Sequence, residues 1–131
     1  MVSTNAARQF ALSFEVAEEL PHFHLASFRV RKKIFATLDV ENRRVFVKLS
    51  LTDQSVFCSF DKNIIYPVPN KWGLSGATYI ELHKVSMEMF RDAVRVAYCT
   101  VAPHNLAEKY NLPSPSISLP LKRGGSGPSS K

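Results

Sequence analysis

The residues best suited to do chemistry in this chain of 131 residues are its cations. Between positions 29 and 48 only two carboxylates, Asp39 and Glu41, accompany seven positive side chains: Arg29, Arg31, Lys32, Lys33, Arg43, Arg44 and Lys48. A basic field of this density attracts polyanions and speeds their association. Because solvated surfaces also carry such charge, the pattern alone leaves a purely solubilising role open.

The balance of the whole chain points the same way, with 17 Lys and Arg against 11 Asp and Glu, a net charge of +6. Cations at exposed turns can reach the phosphates of a nucleic acid, and these contacts make affinity depend on salt. A nucleic acid is therefore one candidate partner. Lys71 joins the candidate residues, and Arg29, Lys48 and Lys71 extend the patch if they share its face.

A second candidate site involves Trp72, the only tryptophan, which lies between Lys71 and Gly73. Its ring could stack on a base, fill a small-molecule cleft or pack its own loop onto the fold. His22 and Phe23 follow Pro21 and could share such a pocket. The alternative function is thus a non-enzymatic module that binds a small ligand or a protein through His22, Phe23 and Trp72.

No constellation of residues indicates catalysis. Cys58 and Cys99 belong to no Cys-x-x-Cys motif, and neither has a base or basic cluster beside it in sequence. The His22-x-His24 step lacks the placed carboxylate or cysteine cluster of a metal site. We find no phosphate-binding loop or dinucleotide fingerprint. The prediction is a protein that is not an enzyme and needs no cofactor or metal.

Composition sets the broad class. Apolar residues make up 45% and charged residues 21%, typical of one globular domain. No stretch reaches the roughly 18 apolar residues of a membrane span, and the first residues lack the apolar core of a signal peptide. Two cysteines make no disulfide framework. We expect a cytoplasmic protein without a membrane partner, a monomer or weak dimer.

Hydrophobic periodicity predicts the elements of the first half. An apolar stripe at helical spacing predicts a helix over 5–14, capped by Ser3, Thr4 or Asn5 and able to continue to 19. An extended connection follows at 22–24. Period-two alternation predicts a three-stranded antiparallel meander: strands over 27–30, 33–38 and 43–49, with tight turns at 31–32 and 39–42. Ile34, Ala36 and Leu38 share one face, and Phe35 and Thr37 the other.

The second half begins with a helix that Ser50 caps, with Asp53 completing a capping box. Residues 64–69 read as an extended edge, since they contain two prolines, and 70–76 as a loop. A strand over 78–82 and a helix capped by Ser86 and ended by Pro103 complete an α+β domain over 1–105. Residues 106–131 are expected to form an irregular arm and a flexible tail, with Gly and Ser concentrated in the last ten residues.

Several motifs occur in an order that resembles the MmcQ/YjbR family. They are EELPHF at 18–23, SFRV at 27–30, KIFATL at 33–38, PNKWG at 69–73 and TYIEL at 78–82. The family pattern reads roughly E-E-x-P-H-F-G-x-P-S-F-R-V-x-x-K-x-F-A, with P-x-x-W-G further on. The resemblance covers about residues 5–105.

This resemblance implies a two-layer "double-wing" fold, an antiparallel sheet with helices packed on one face, and a proposed role in DNA binding. It implies no catalytic residue. The chain departs from the family pattern at three places: Glu15-Val16 replaces Pro-Gly, His24 replaces a glycine and Ala26 replaces a proline. The first change could lengthen the first helix, and the others alter the loop around His24.

Overall fold

The computed structural model describes residues 1–110. The last part of the predicted arm and the predicted tail, residues 111–131, lie outside this range. In the described part the elements are, in chain order, α1 (Thr4–Leu12), β1 (Glu18–His22), β2 (Leu25–Val30), β3 (Lys33–Asp39), β4 (Arg44–Lys48), α2 (Leu51–Cys58), β5 (Ile65–Pro67), α3 (Lys71–Leu74), β6 (Ala77–Glu81), α4 (Met87–Val101) and α5 (His104–Ala107).

The strands form one antiparallel sheet in the order β1-β2-β3-β4-β6-β5, with helices packed on one face. The predicted α+β class is therefore confirmed. Both edge strands contain a proline, Pro21 in β1 and Pro67 in β5. Proline lacks the N–H that a central strand must donate, so these two segments belong at the edges.

The predicted meander is present as β2, β3 and β4. Leu38 pairs with Val45 and Ala36 with Val47, and all four side chains are buried against the helices. The alternate residues Thr37 and Phe46 pair on the opposite surface, which we call the outer face of the sheet. This period-two division is the source of both the core and the exposed surface.

A β-bulge makes part of the predicted side-chain pattern wrong. Ile34 and Ala36 pair with consecutive positions of β2, so Phe35 between them has no partner. The extra residue moves Phe35 to the core, where it is fully buried with its ring 5.3 Å from that of Tyr98. Ile34 moves to the outer face. A bulge reverses which face each residue on its far side occupies, and local composition does not reveal it.

Three helices begin at the serines that the sequence offered as caps. The Oγ atoms of Ser3, Ser50 and Ser86 each accept the backbone N–H three residues further on, at 3.0–3.1 Å. Each bond satisfies a donor that has no partner within the helix. The helix caps predicted at Ser50 and Ser86 are confirmed, and among the alternatives for α1 the cap is Ser3. The Asp53 carboxylate accepts from the Ser50 hydroxyl, which is not the bond of the predicted capping box.

An aromatic cluster joins α1, the sheet and α4. The ring of Phe14 stacks on Tyr98 at 4.6 Å and meets Tyr110 edge-on at 5.0 Å. The backbone of Glu15 is held from both sides, since its carbonyl accepts from the Tyr98 hydroxyl at 2.7 Å and its N–H donates to the Tyr110 hydroxyl at 2.9 Å. These contacts anchor the segment that leads from α1 into β1.

Three local predictions were wrong. The first helix ends at Leu12 and does not continue to 19, because Val16 has a φ of 66° and the chain then enters β1. The predicted loop at 70–76 contains α3. Residues 104–107 form α5, with Leu106 buried, so the predicted boundary at 105 falls within a helix and contacts with the core continue to Tyr110.

Candidate nucleic-acid interface

The topology divides the predicted basic run between two ends of the sheet. The turn at Arg31 and Lys32 joins β2 to β3, whereas the turn that includes Arg43 joins β3 to β4. Consecutive hairpins of an antiparallel meander lie at opposite ends, and the seven residues of β3 separate them by roughly 20 Å. The seven cations that are neighbours in sequence therefore form two groups in space.

The larger group lies at the end formed by the β2–β3 turn, the last residue of β4 and α3, which we call the basic end. Its six cations, all exposed except the half-buried Arg29, are Arg29, Arg31, Lys32, Lys33, Lys48 and Lys71. Of the carboxylates described near this end, Glu15 is paired with Lys109 at 2.6 Å. Glu18, Asp53 and Glu108 also lie near it. Among the described residues, positive charge is still in excess at this end.

The opposite end has no excess of positive charge, and we call it the balanced end. Its described residues include four cations, Arg43, Arg44, Lys62 and Lys84, and five carboxylates, Asp39, Glu41, Asp61, Glu81 and Glu88. Arg43 is exposed. The sequence-based grouping of Arg43 and Arg44 with the β2–β3 turn therefore does not correspond to one surface.

Arg44 is occupied by contacts on the outer face. Its guanidinium carbon lies 4.0 Å from the centroid of the Tyr79 ring, and its Nε is 3.9 Å from Asp39 Oδ2. The neighbouring Tyr66 hydroxyl donates to the Glu81 carboxylate. Burial, reinforced by this hydrogen bond, raises the pKa of the Tyr66 phenol. These partners hold Arg44 against the sheet, so we do not expect it to be a leading phosphate contact.

Backbone strain accompanies the cations at the basic end. Arg31 and Lys32 have φ values of 53° and 70°, the left-handed conformation that a two-residue type I′ hairpin turn requires at both positions. Asn-Gly is the favoured pair in such turns, because a β-carbon in this conformation costs about 1–2 kcal/mol. The chain thus places two exposed cations at positions where the backbone conformation is unfavourable for them.

Replacing Arg31 with Asn and Lys32 with Gly should stabilise the domain while removing two charges. We expect the free energy of unfolding to rise by about 1–2 kcal/mol, because the left-handed turn is then occupied by residues that tolerate it. Urea denaturation followed by circular dichroism measures this change. The matched control, Arg31→Gln with Lys32→Gln, removes the same charges but keeps both β-carbons. Equal stability of the two variants would show that the turn is not strained.

The outer face carries a groove of about 440 Å³. Its walls are mostly apolar, and Lys48 is the one formally charged residue among those that line it: His22, Leu25, Ile34, Phe35, Ala36, Thr37, Phe46, Lys48, Trp72, Ser75 and Ala77. Apolar grooves of this size with a few polar groups are typical of ligand sites. The groove opens beside the basic end, since Lys48, Trp72 and Ser75 belong to both.

The groove brings together two of the three residues of the alternative pocket. His22 and Trp72 line it, whereas Phe23 is 90% exposed and contacts the His22 ring at 4.9 Å without contributing to the lining. Ile34 and Phe46 also line the groove and were not predicted as site residues. Phe46 was detectable, because it alternates with core residues of β4 and so faces outward. Ile34 was not, because only the bulge moves it there.

Trp72 is held at the rim by its own short helix. Asn70 caps α3 by accepting the Trp72 N–H at 2.8 Å. The buried amide of Gln54 donates to the carbonyl oxygens of Gly73 and Ala77 at 2.9 and 3.0 Å. Lys48 Nζ donates to the Ser75 carbonyl at 2.8 Å. The loop is thereby fixed to β4, β6 and α2, yet the Trp72 side chain remains 60% exposed.

The remaining groups of interest in the described part of the chain are the two thiols and the possible metal ligands. Burial raises the pKa of both the Cys58 and Cys99 thiols, so little thiolate forms at neutral pH. Within residues 1–110 no three His, Cys, Asp or Glu side chains lie together as metal ligands would. None of the described helices combines the length and apolar character needed to cross a bilayer.

Comparison with known proteins provides one structural likeness. No family model matches the sequence, and no similar curated protein was found. The fold is similar to that of the crystal structure of Deinococcus radiodurans protein DR2400, a DUF419 domain, with a TM-score of 0.69. The match covers 92% of this chain and 94% of that one at 16% identity, so it concerns the fold alone. The chain thus has the α+β fold of a DUF419 domain, a family known as YjbR/MmcQ-like.

Proposed function

We propose that this protein binds DNA through the phosphates, using the basic end of the sheet. The observation that carries this proposal is the segregation of charge: six cations meet at one end of the sheet, while the opposite end has no excess of positive charge. Arg31 and Lys32 protrude there from a turn whose backbone is unfavourable for them. A position that is retained at a cost in stability is a candidate functional position.

The proposed mechanism needs geometry and charge but no bond-making chemistry. Cations that neutralise phosphates release condensed counterions, which makes the affinity fall steeply with salt. Phosphate contacts orient a protein on the duplex but do not read its sequence. We accordingly propose a backbone-binding module with no enzymatic activity of its own.

Replacing Arg31, Lys32 and Lys33 with alanine tests the proposal. We expect the dissociation constant for a random duplex at low salt to rise about 10–100-fold, because up to three phosphate contacts are lost. The slope of log K against log salt should become shallower by about 2–3 for the same reason. Fluorescence anisotropy of a labelled duplex at several salt concentrations measures both.

The chain offers a control with the same change in charge. Arg43, Lys62 and Lys84 are exposed and lie at the balanced end, so their replacement by alanine also removes three positive charges. We expect this variant to keep most of the affinity and of the salt slope. If both triple variants lose affinity equally, net charge and not the basic end determines binding. No duplex binding by the parent protein at low salt would refute the proposal.

The groove favours a second candidate function, binding of a small ligand. Its volume of about 440 Å³ and its apolar walls fit a compact organic molecule. Such binding should change the fluorescence of Trp72 and depend little on salt, because it gains its free energy from apolar contact. A ligand screen that monitors Trp72 emission separates this candidate from DNA binding.

A further inference from the structure

The groove combines three properties that together describe a ligand. Its walls are apolar, and they include the exposed ring of Trp72 and the half-buried ring of Phe46. Its one formally charged lining residue is the cation Lys48, and no carboxylate lines it. A planar aromatic group linked to a negative charge complements this set, because the ring can stack while the anion approaches the ammonium.

The high exposure of the Trp72 side chain is the most unusual feature of the groove. A tryptophan gains most by burial, yet this side chain is 60% exposed although the loop beneath it is tightly held. The loop cannot move closer to the fold and take the ring with it, because the Gly73 backbone already packs tightly against Val68. A β-carbon added at Gly73 would lie 1.9 Å from the Val68 carbonyl oxygen. The loop therefore presents a flat aromatic surface to solvent, as proteins that stack unpaired bases do.

The position of the groove suggests a polymer. Lys48 lies at its rim and is also a member of the basic end, and Ile34 in its wall pairs with Arg29 of β2 on the same face. A base seated in the groove would therefore have its neighbouring phosphates near Arg29, Lys48 and the β2–β3 turn. In an intact duplex the bases are paired and stacked, so they are not free to enter such a groove.

We propose that the outer face binds single-stranded nucleic acid, with one base stacked on Trp72 in the groove and the flanking phosphates on the basic end. This inference rests on the proposed phosphate-binding function and adds to it a stacking contact that only unpaired strands can make. Stacking provides affinity without sequence preference, because every base has an aromatic face.

Trp72 is also the chain's only tryptophan, so its emission reports on the groove alone. The probes are an oligothymidylate of about ten nucleotides, an abasic oligonucleotide of equal length, a duplex and thymidine monophosphate. The thymidylate strand should quench Trp72 and bind roughly tenfold or more tighter than the abasic strand, which has the same charge but no rings. Duplex should bind without quenching.

Variants test the stacking contact with a labelled oligothymidylate. Trp72→Ala should weaken binding at least about tenfold, to the level of the abasic strand, while Trp72→Phe retains most of the affinity. Leu74→Ala is the control, because Leu74 is in the same short helix and 78% exposed but does not line the groove. Loss of affinity in the alanine variant with no recovery by phenylalanine would contradict a stacking role.

Different experimental results would overturn the stacking inference and the proposed phosphate-binding function. Equal affinity for thymidylate and abasic strands, or no quenching of Trp72, would overturn the stacking inference and leave phosphate binding intact. The inference would also be overturned if thymidine monophosphate quenched Trp72 with the same affinity as the strand. The flanking phosphates would then contribute nothing to binding. Absence of binding to every polyanion at low salt would refute the proposed function as well.

Discussion

Replacing Gly76 with alanine should lower the free energy of unfolding by at least about 3 kcal/mol. Gly76 has a φ of 110°, where an L-residue is strained, and an added β-carbon would lie 2.0 Å from the carbonyl oxygen of Leu49. That oxygen belongs to backbone, so it cannot move aside as a flexible side chain would. The Gly76 carbonyl also accepts the Leu49 N–H at 3.0 Å, so the required shift would break a bond between the α3 loop and the end of β4.

Chemical denaturation measures the loss, and Leu74→Ala provides the comparison within the same loop. Since the Leu74 side chain is 78% exposed, its truncation should change stability by no more than about 0.5 kcal/mol. We also expect the emission of Trp72 in native Gly76→Ala protein to shift, because the loop that positions its ring is displaced. Unchanged stability together with unchanged emission would mean that the loop accommodates the β-carbon and is not fixed as described.

Replacing Phe14 with alanine should cost about 3–5 kcal/mol, a large part of the stability of a domain of this size. The Phe14 ring is 4% exposed and lies within 6 Å, centroid to centroid, of four other rings: those of Phe10, Phe35, Tyr98 and Tyr110. Its removal would leave a cavity between α1, β3 and α4, which surrounding side chains could fill only in part. The free energy of unfolding from denaturant titration gives the magnitude.

Phe23→Ala deletes the same atoms from a side chain that is 90% exposed, and we expect a change of no more than about 0.5 kcal/mol. The difference between the two variants isolates the contribution of burial. Comparable losses in both would contradict the assignment of Phe14 to the core. A loss in Phe14→Ala below about 1 kcal/mol would contradict it too, because deleting a buried phenyl ring costs several kcal/mol in transfer free energy and lost packing.

The two stability predictions concern the parts of the fold on which the candidate interface depends. Gly76 lies between α3, which carries Trp72, and β6. Phe14 packs against Phe35, the bulged residue of β3 whose displacement turns Ile34 toward the groove. Loss of binding in either variant therefore needs a folding control before it is attributed to the interface, whereas the surface variants at the basic end do not disturb the core.

Much of the architecture follows from local signals in the sequence. Period-two alternation identified the meander because side chains of a strand alternate between faces regardless of what surrounds them. Serine caps located the starts of α2 and α4 because their hydrogen bonds span only three residues. The prolines at 21 and 67 sit on the two edge strands for an equally local reason, the missing N–H. All these interactions lie within a few residues along the chain.

The surfaces were decided by tertiary structure. Arg31 and Arg43 are close in the sequence, but antiparallel pairing places their turns at opposite ends of β3. Lys48 and Trp72 are far apart in the sequence, yet pairing of β4 with β6 brings them to one groove. The bulge at Phe35 exchanged the faces of two side chains without any change in local composition. By itself the sequence determined the fold class, the main elements and the excess of positive charge, because these depend on composition and on neighbours along the chain. The division of that charge between two ends and the groove beside Trp72 depend on strand pairing between distant segments, which no local pattern specifies.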